Sequence, residues 1–375
     1  MIIEIHHSFE KISKDSWTKS FKTKNPFCSH EFLQALETEQ CLFENTGWYP
    51  YYLVAKKDKD SKEILAFMPL YLKVNSYGEY IFDWSWANAY AQYGRDYYPK
   101  LTCAIPFSPV SSPKILGDQE LLPHFLTFIQ SEVTKKSLSS AHLLFVDQTI
   151  LNHNFPSSWI HRHSMQYHFY NDHYQDFNSF LEQLRKSKRK NIKKERSSLQ
   201  KEKLNIERLT GEQLSESDGE IFYNFYLKTI DKKNAHPYLT KNFFKKIFKT
   251  MKHSILLVRA QRENQSIAQS LFFYDDQKLY GRYWGSNVDI AGLHFELCYY
   301  QGIEFTLEKG LHYFEAGAQG EHKIPRGFLP THTHSLHFIK DREFDRAIQG
   351  FCAQEKRELE RLFEHLEVLN PFKRA

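Results

Sequence analysis

Two pairs of β-forming runs constrain this chain more than any other feature of it. Residues 51–57 (YYLVAKK) and 63–74 (EILAFMPLYLKV) flank the polar turn 58–61, and residues 254–261 (SILLVRAQ) and 266–274 (SIAQSLFFY) flank 262–265. Each pair reads as a hairpin with a loop of several residues. Both carry Leu-Val in the first arm (Leu53-Val54, Leu257-Val258) and Ala in the second (Ala66, Ala268). The repetition points to a duplicated α/β unit. With 375 residues the chain is long enough for two domains.

The second half predicts a fuller order of elements. Residues 177–199 are helical, with apolar positions at Phe177, Phe180, Leu181, Leu184, Ile192 and Leu199. Residues 218–228 and 241–251 are also helical. After the hairpin come a strand at 278–284 and a helix at 294–309, which Gly310 ends as a C′ glycine. A short strand at 312–316, another at 335–340 and an amphipathic helix at 342–366 complete the pattern. Alternating strands and helices make a mixed α/β fold. The domain boundary is expected near 162–167, giving domains 1–165 and 166–375. Residues 77–98 and 99–113 read as long aromatic loops. Aromatics are 16% of the chain, enough to build a sizeable core.

Five cysteines without a CxxC pair argue for free thiols in a reducing compartment. The N-terminus lacks a basic segment followed by an apolar stretch, and no run reaches the ~18–20 apolar residues of a membrane span. A cytoplasmic location is the expectation.

Several segments look like one known family. They are 83–87 (DWSWA), 98–101 (YPKL), 106–110 (PFSPV), 280–285 (YGRYWG), 293–296 (LHFE) and 314–323 (FEAGAQGEHK). Together they resemble the motifs of a bacterial family of predicted N-acyltransferases. That family is described as FemAB-like, after enzymes that add amino acids to peptidoglycan precursors. The basic stretch 187–192 (SKRKNI) is similar to the segment that opens the second domain there. The resemblance implies two tandem GNAT-like domains and an acyl or aminoacyl group passed to an amine, a peptidoglycan-related precursor being one candidate acceptor. The donor, acyl-CoA or aminoacyl-tRNA, stays open. No Q/R-x-x-G-x-G/A loop precedes the helix at His294, which leaves a backbone cradle for the CoA pyrophosphate unsupported. No further cofactor is expected.

Acyl transfer to an amine needs a base for the ammonium proton and donors for the developing oxyanion. Glu315, Glu321 and His322 are the candidate bases. Tyr280, Arg282, Trp284, Gln319, Lys323 and Arg326 are candidates for binding substrate, with Lys323 and Arg326 suited to a phosphate or carboxylate. Asp83, Trp84 and Trp86 are candidates for an acceptor wall. Residues 185–196 hold eight Lys or Arg and one Glu. Lys188, Arg189 and Lys190 there, together with His294, are candidates for the donor or its phosphates. Candidate partners are a small-molecule or lipid-linked amine, tRNA and the surface of an anionic membrane. The bland reading of such a run is a solvated helix face. His332-x-His334 has metal-ligand spacing, but no third ligand stands at motif distance, so no metal site is assigned. The rival to an enzyme is a non-catalytic scaffold that binds a peptidoglycan precursor or RNA.

Overall fold

The computed structural model describes residues 1–153, 155–317 and 320–373. The chain divides into two compact units. The first holds Met1–Ser164 and His332–Arg361, the second Met165–Thr331 and Leu362–Ala375. Each is a mixed α/β body, the fold class expected from the sequence.

The first unit opens with β1 (Ile2–His6), α1 (Lys14–Ser20), α2 (His30–Thr38), β2 (Trp48–Pro50), β3 (Tyr52–Lys56), β4 (Ala66–Met68) and β5 (Leu70–Lys73). It continues with α3 (Trp84–Gln92), β6 (Lys100–Cys103), β7 (Leu116–Gly117), α4 (Leu122–Lys135), β8 (Ser140–Val146), α5 (Gln148–Leu151) and the first half of β9 (Trp159–Tyr170). The expected hairpin exists as β3 and β4, antiparallel with Leu53 opposite Met68. Its second arm breaks at Pro69, which has no N–H for a ladder. Beyond the break β5 pairs instead with β2 and β6. Strands β1, β3, β4 and β7 form one small sheet. Strands β2, β5, β6 and β8 form another, in which β6 and β8 run parallel. Helix α4 buries the stripe Leu122, Phe125, Leu126, Ile129 and Val133 against Leu101, Leu143 and their neighbours.

The loops expected at 77–98 and 99–113 are partly regular structure. Trp86 and Tyr90, one turn apart in α3, are both buried, and the alanines between them favour a helix.

The second unit takes up the rest of β9 and then α6 (Phe177–Gln183), α7 (Lys186–Gln200), β10 (Asn205–Thr210), α8 (Glu216–Lys232), α9 (Lys241–Thr250), β11 (Ile255–Arg262), β12 (Gln265–Tyr274) and β13 (Lys278–Ser286). The single helix expected over 177–199 is two, because Leu184 turns extended between them. A long helical stretch follows: α10 (Leu293–Phe295), a π turn at Glu296–Tyr300 and α11 (Gln301–Glu308). Gly310, at φ +64°, closes it. Its N–H reaches the Leu307 carbonyl and the Leu311 N–H reaches that of Thr306, the paired bonds of a Schellman cap. Then come β14 (Tyr313–Glu315), a 3₁₀ turn at Glu321–Arg326 and β15 (Leu329–Ile339), whose last part re-enters the first unit. The strand order in this unit is β10-β11-β12-β13-β14-β9.

Residues 332–361, assigned by sequence to the second domain, belong to the first. The reason is strand pairing: β15 lies antiparallel to β8, with Leu336 opposite Leu143. The final helix α12 (Arg342–Glu367) then lays Phe344, Ile348 and Cys352 against Trp86 and Tyr90. Among the described residues no helix is long and apolar enough to cross a membrane, and all five cysteines are free.

Candidate active site

In the second unit β13 and β14 run parallel and pair only from Lys278↔Tyr313 to Tyr280↔Glu315. Beyond that point β14 ends while β13 continues to Ser286. A bulge sits at the parting: Phe272 opposes Gly281 and Leu271 opposes Tyr283, which leaves Arg282 as the extra residue. The far end of β13 is held by α8. A Cβ on Gly285 would lie 1.8 Å from the Phe225 carbonyl oxygen, so only glycine lets the helix approach this closely.

Charged groups gather where the two strands part. The Arg282 guanidinium lies 3.7 Å from the Glu315 carboxylate, and both side chains are buried. Lys323, only 2% exposed, donates from Nζ to the Gly317 carbonyl at 2.9 Å. Burial, followed by repulsion from Arg282, pulls its pKa down to about 7. His168, on the β9 half of this unit, stacks on Tyr313 with ring centroids 5.7 Å apart. Burial, then the cations Lys278, Arg282 and Lys323, bring its pKa to about 3. Cys298 on the π turn is pushed up to about 12 by burial, with Lys323 among the charges it feels.

A second cluster gathers at the Glu321–Arg326 turn. The Tyr299 hydroxyl is 2.9 Å from His322 Nε2. His294 packs edge-on against Trp284 at 4.9 Å and against Tyr299 at 5.3 Å. Burial, then the basic neighbours His322, Lys323 and Arg326, lower its pKa to about 4. Burial and the same two basic side chains also depress His322. Both imidazoles are therefore neutral at pH 7, burial keeps the Tyr299 phenol protonated, and the direction of its hydrogen bond with His322 Nε2 follows the tautomer of the imidazole.

The turn is clamped to α7. Arg326 donates to Glu195 at 2.7 Å and to the His322 carbonyl, and its guanidinium lies 3.5 Å from the Phe295 ring centroid. Tyr300 donates to the other Glu195 oxygen. Arg196 grips Glu296 at 2.8 Å and Glu304 at 2.6 Å. The sequence offered Arg326 as an anion clamp, but its guanidinium is committed to Glu195 and the turn. On α7, Ile192 and Leu199 face the core. Lys190 is exposed and Lys188 and Arg189 are half-buried.

The structure thus brings Arg282, Glu315, Lys323, His322, Trp284 and His294 into one region of the second unit. Glu321 is exposed at the start of the turn. Tyr280 is fully buried and its hydroxyl donates to Asp275 at 3.1 Å, which makes it a core residue. Gln319 lies outside the described residues. Sequence reasoning missed His168, Cys298 and Tyr299. His168 arrives from a distant strand, and the other two needed the phase of a helix whose turn widens at that point.

The three candidates of the first unit separate. Asp83 is buried and bound by Lys100 and Tyr97. Burial pushes its carboxyl up, but the Lys100 ammonium prevails and holds it below the usual range. Lys100 also donates to Glu79 at 2.8 Å. Trp84 is 39% exposed and meets Tyr77 edge-on, while Trp86 lies in the core under the Arg162 guanidinium at 4.8 Å.

Comparison with solved structures places this fold. FemX matches over 93% of this chain and 100% of its own, at 12% identity and a TM-score of 0.52. A conserved protein of unknown function from Bacteroides thetaiotaomicron matches over 90% and 99%, at 10% identity and 0.51. The C-terminal domain of a protein described as a lysylphosphatidylglycerol synthetase from Agrobacterium fabrum matches over 91% and 96%, at 9% identity and 0.52. At these identities the likeness is one of fold. No curated protein matches the chain. A family model described as FemAB-like, peptidoglycan biosynthesis/recognition, matches residues 8–374.

Proposed function

Because the chain belongs to the FemAB-like family of peptidoglycan biosynthesis/recognition, we propose that it is an N-acyltransferase whose second unit passes an aminoacyl group from aminoacyl-tRNA to an amine of a peptidoglycan-related precursor. One observation carries the reading: buried Arg282, Glu315 and Lys323 meet where β13 leaves β14. Two cations in a dry site suit the negative charge that develops on the carbonyl oxygen during acyl transfer. His322, neutral and exposed on the same turn, takes the proton of the attacking amine on Nδ1, which is free when its Nε2–H donates to the Tyr299 hydroxyl. Glu315 holds Arg282 in place, and Trp284 with His294 forms an apolar flank.

Two features favour a tRNA donor over acyl-CoA. The glycines at 285 and 292 are not arranged as a phosphate loop: Gly285 admits α8, and Gly292 precedes the helix at φ +84°. Helix α7, clamped to the site through Glu195 and Arg196, carries Lys188, Arg189 and Lys190 outside its buried stripe. Lysine and arginine there match an RNA backbone, whose contacts steepen the salt dependence of binding.

The test is transfer to an amine-bearing precursor from a panel of charged tRNAs and acyl-CoAs. Transfer from charged tRNA is expected. Lys323→Met and His322→Ala should each lower kcat/KM about 100-fold or more. Undiminished turnover in both variants overturns the site. Precursor binding without transfer from any donor establishes the scaffold reading instead.

A further inference from the structure

Strands β9 and β15 bring four histidines together within the first unit. His161 and His163 are two residues apart on β9, and His332 and His334 two apart on β15, so each pair shares a strand face. The faces meet. His161 Nε2 lies 3.1 Å from His334 Nδ1, and the rings of His161 and His163 stack at 4.2 Å. One ring nitrogen each from His161, His163 and His334 lies within 4.8 Å of the other two, and all three residues are half-buried.

We propose that His161, His163 and His334 form a binding site for one transition-metal ion, zinc being the best match, held by three imidazole nitrogens. The donor set selects the class of ion. Imidazole suits Zn²⁺, Ni²⁺ and Cu²⁺, whereas Mg²⁺ and Ca²⁺ require oxygen. Three nitrogens around zinc at about 2.0–2.1 Å stand roughly 3.3 Å apart, close to the 3.1 Å already present between His161 and His334. Small side-chain rotations bring in the third nitrogen. Three protein ligands leave the fourth tetrahedral position to water or an anion.

The ring of His163 lies 4.2 Å from that of His161 and 5.2 Å from that of His334, centroid to centroid, so the three imidazoles form one compact group. Of the pair His332-x-His334 singled out in the sequence only His334 takes part, and the fold supplies both of its partners from β9. The site lies in the first unit and does not depend on the acyltransferase reading.

Tag-free full-length protein dialysed against ZnCl₂ should retain one zinc per chain by elemental analysis. His163→Gln and His334→Gln should lose it, and zinc should raise the thermal midpoint of the parent alone. Cobalt loaded into the unaltered protein should show the visible absorption of a four- or five-coordinate ion, a measurement that needs no variant. Substoichiometric metal with featureless cobalt spectra would overturn the site, as would equal retention by His161→Gln/His163→Gln/His334→Gln.

Discussion

Lys323 is the most informative single residue. Burial and Arg282 bring its pKa from the ordinary lysine value of 10.5 to about 7. The sign follows from proton counting. Between about pH 7 and 10.5 the unfolded chain holds a proton that the folded chain has released, so stability rises with pH across that window. Below it both states are protonated, and the folded state bears the whole cost of the buried charge. Lys323→Met removes this dependence. Its stability relative to the parent should be greatest near pH 6 and decline toward pH 10, read from urea midpoints at several pH values. Lys73, also lowered to about 7, cancels in that difference. Parallel curves for the two proteins would mean that Lys323 titrates normally. At this scale the sequence showed which loop carries charge but not how the charges are used. Arg326 and Lys323 look alike in a string, yet one is spent on Glu195 and the other is buried beside Arg282. His168 was illegible because nothing local to it signals that β9 returns beside β14.

At the scale of elements, patterning served best where one face decides. The β11–β12 hairpin, the strand at β13 and the Gly310 cap all follow from periodicity and backbone chemistry. Misreadings came where a local rule competed with a tertiary one. Pro69 divides an apolar run between two sheets, and the aromatic residues of α3 read as loop because their burial depends on α12. Gly285 shows the tertiary rule at its strictest. Gly285→Ala forces α8 away from β13 and should cost about 1–3 kcal/mol, measured by chemical denaturation. Amides of α8 should exchange faster as a result. A variant within a few tenths of a kcal/mol of the parent would show that the helix has room to move.

For the molecule as a whole, a single cut near residue 165 looked natural from the sequence, since a hairpin lies on either side of it. It leaves out the return of 332–361. Residues 1–165 produced alone lack β15 beside β8 and lose Ile339, Phe344, Ile348 and Cys352 from the cluster around Trp86. The fragment should show no cooperative thermal transition by circular dichroism. Joining 332–361 to it through a flexible linker should restore one. A cooperative transition in the fragment alone would show that the return segment is dispensable.

That return also sets a schedule for synthesis. A ribosome adding roughly 5–20 residues per second needs on the order of 10–40 s to proceed from Ser164 to Cys352. Throughout that interval β8 offers one side of its ladder to any passing strand, and Trp86 and Tyr90 lack their cover. The nascent first unit is thus a client for chaperones until the second has emerged, and a ribosomal pause within 165–331 prolongs its exposure.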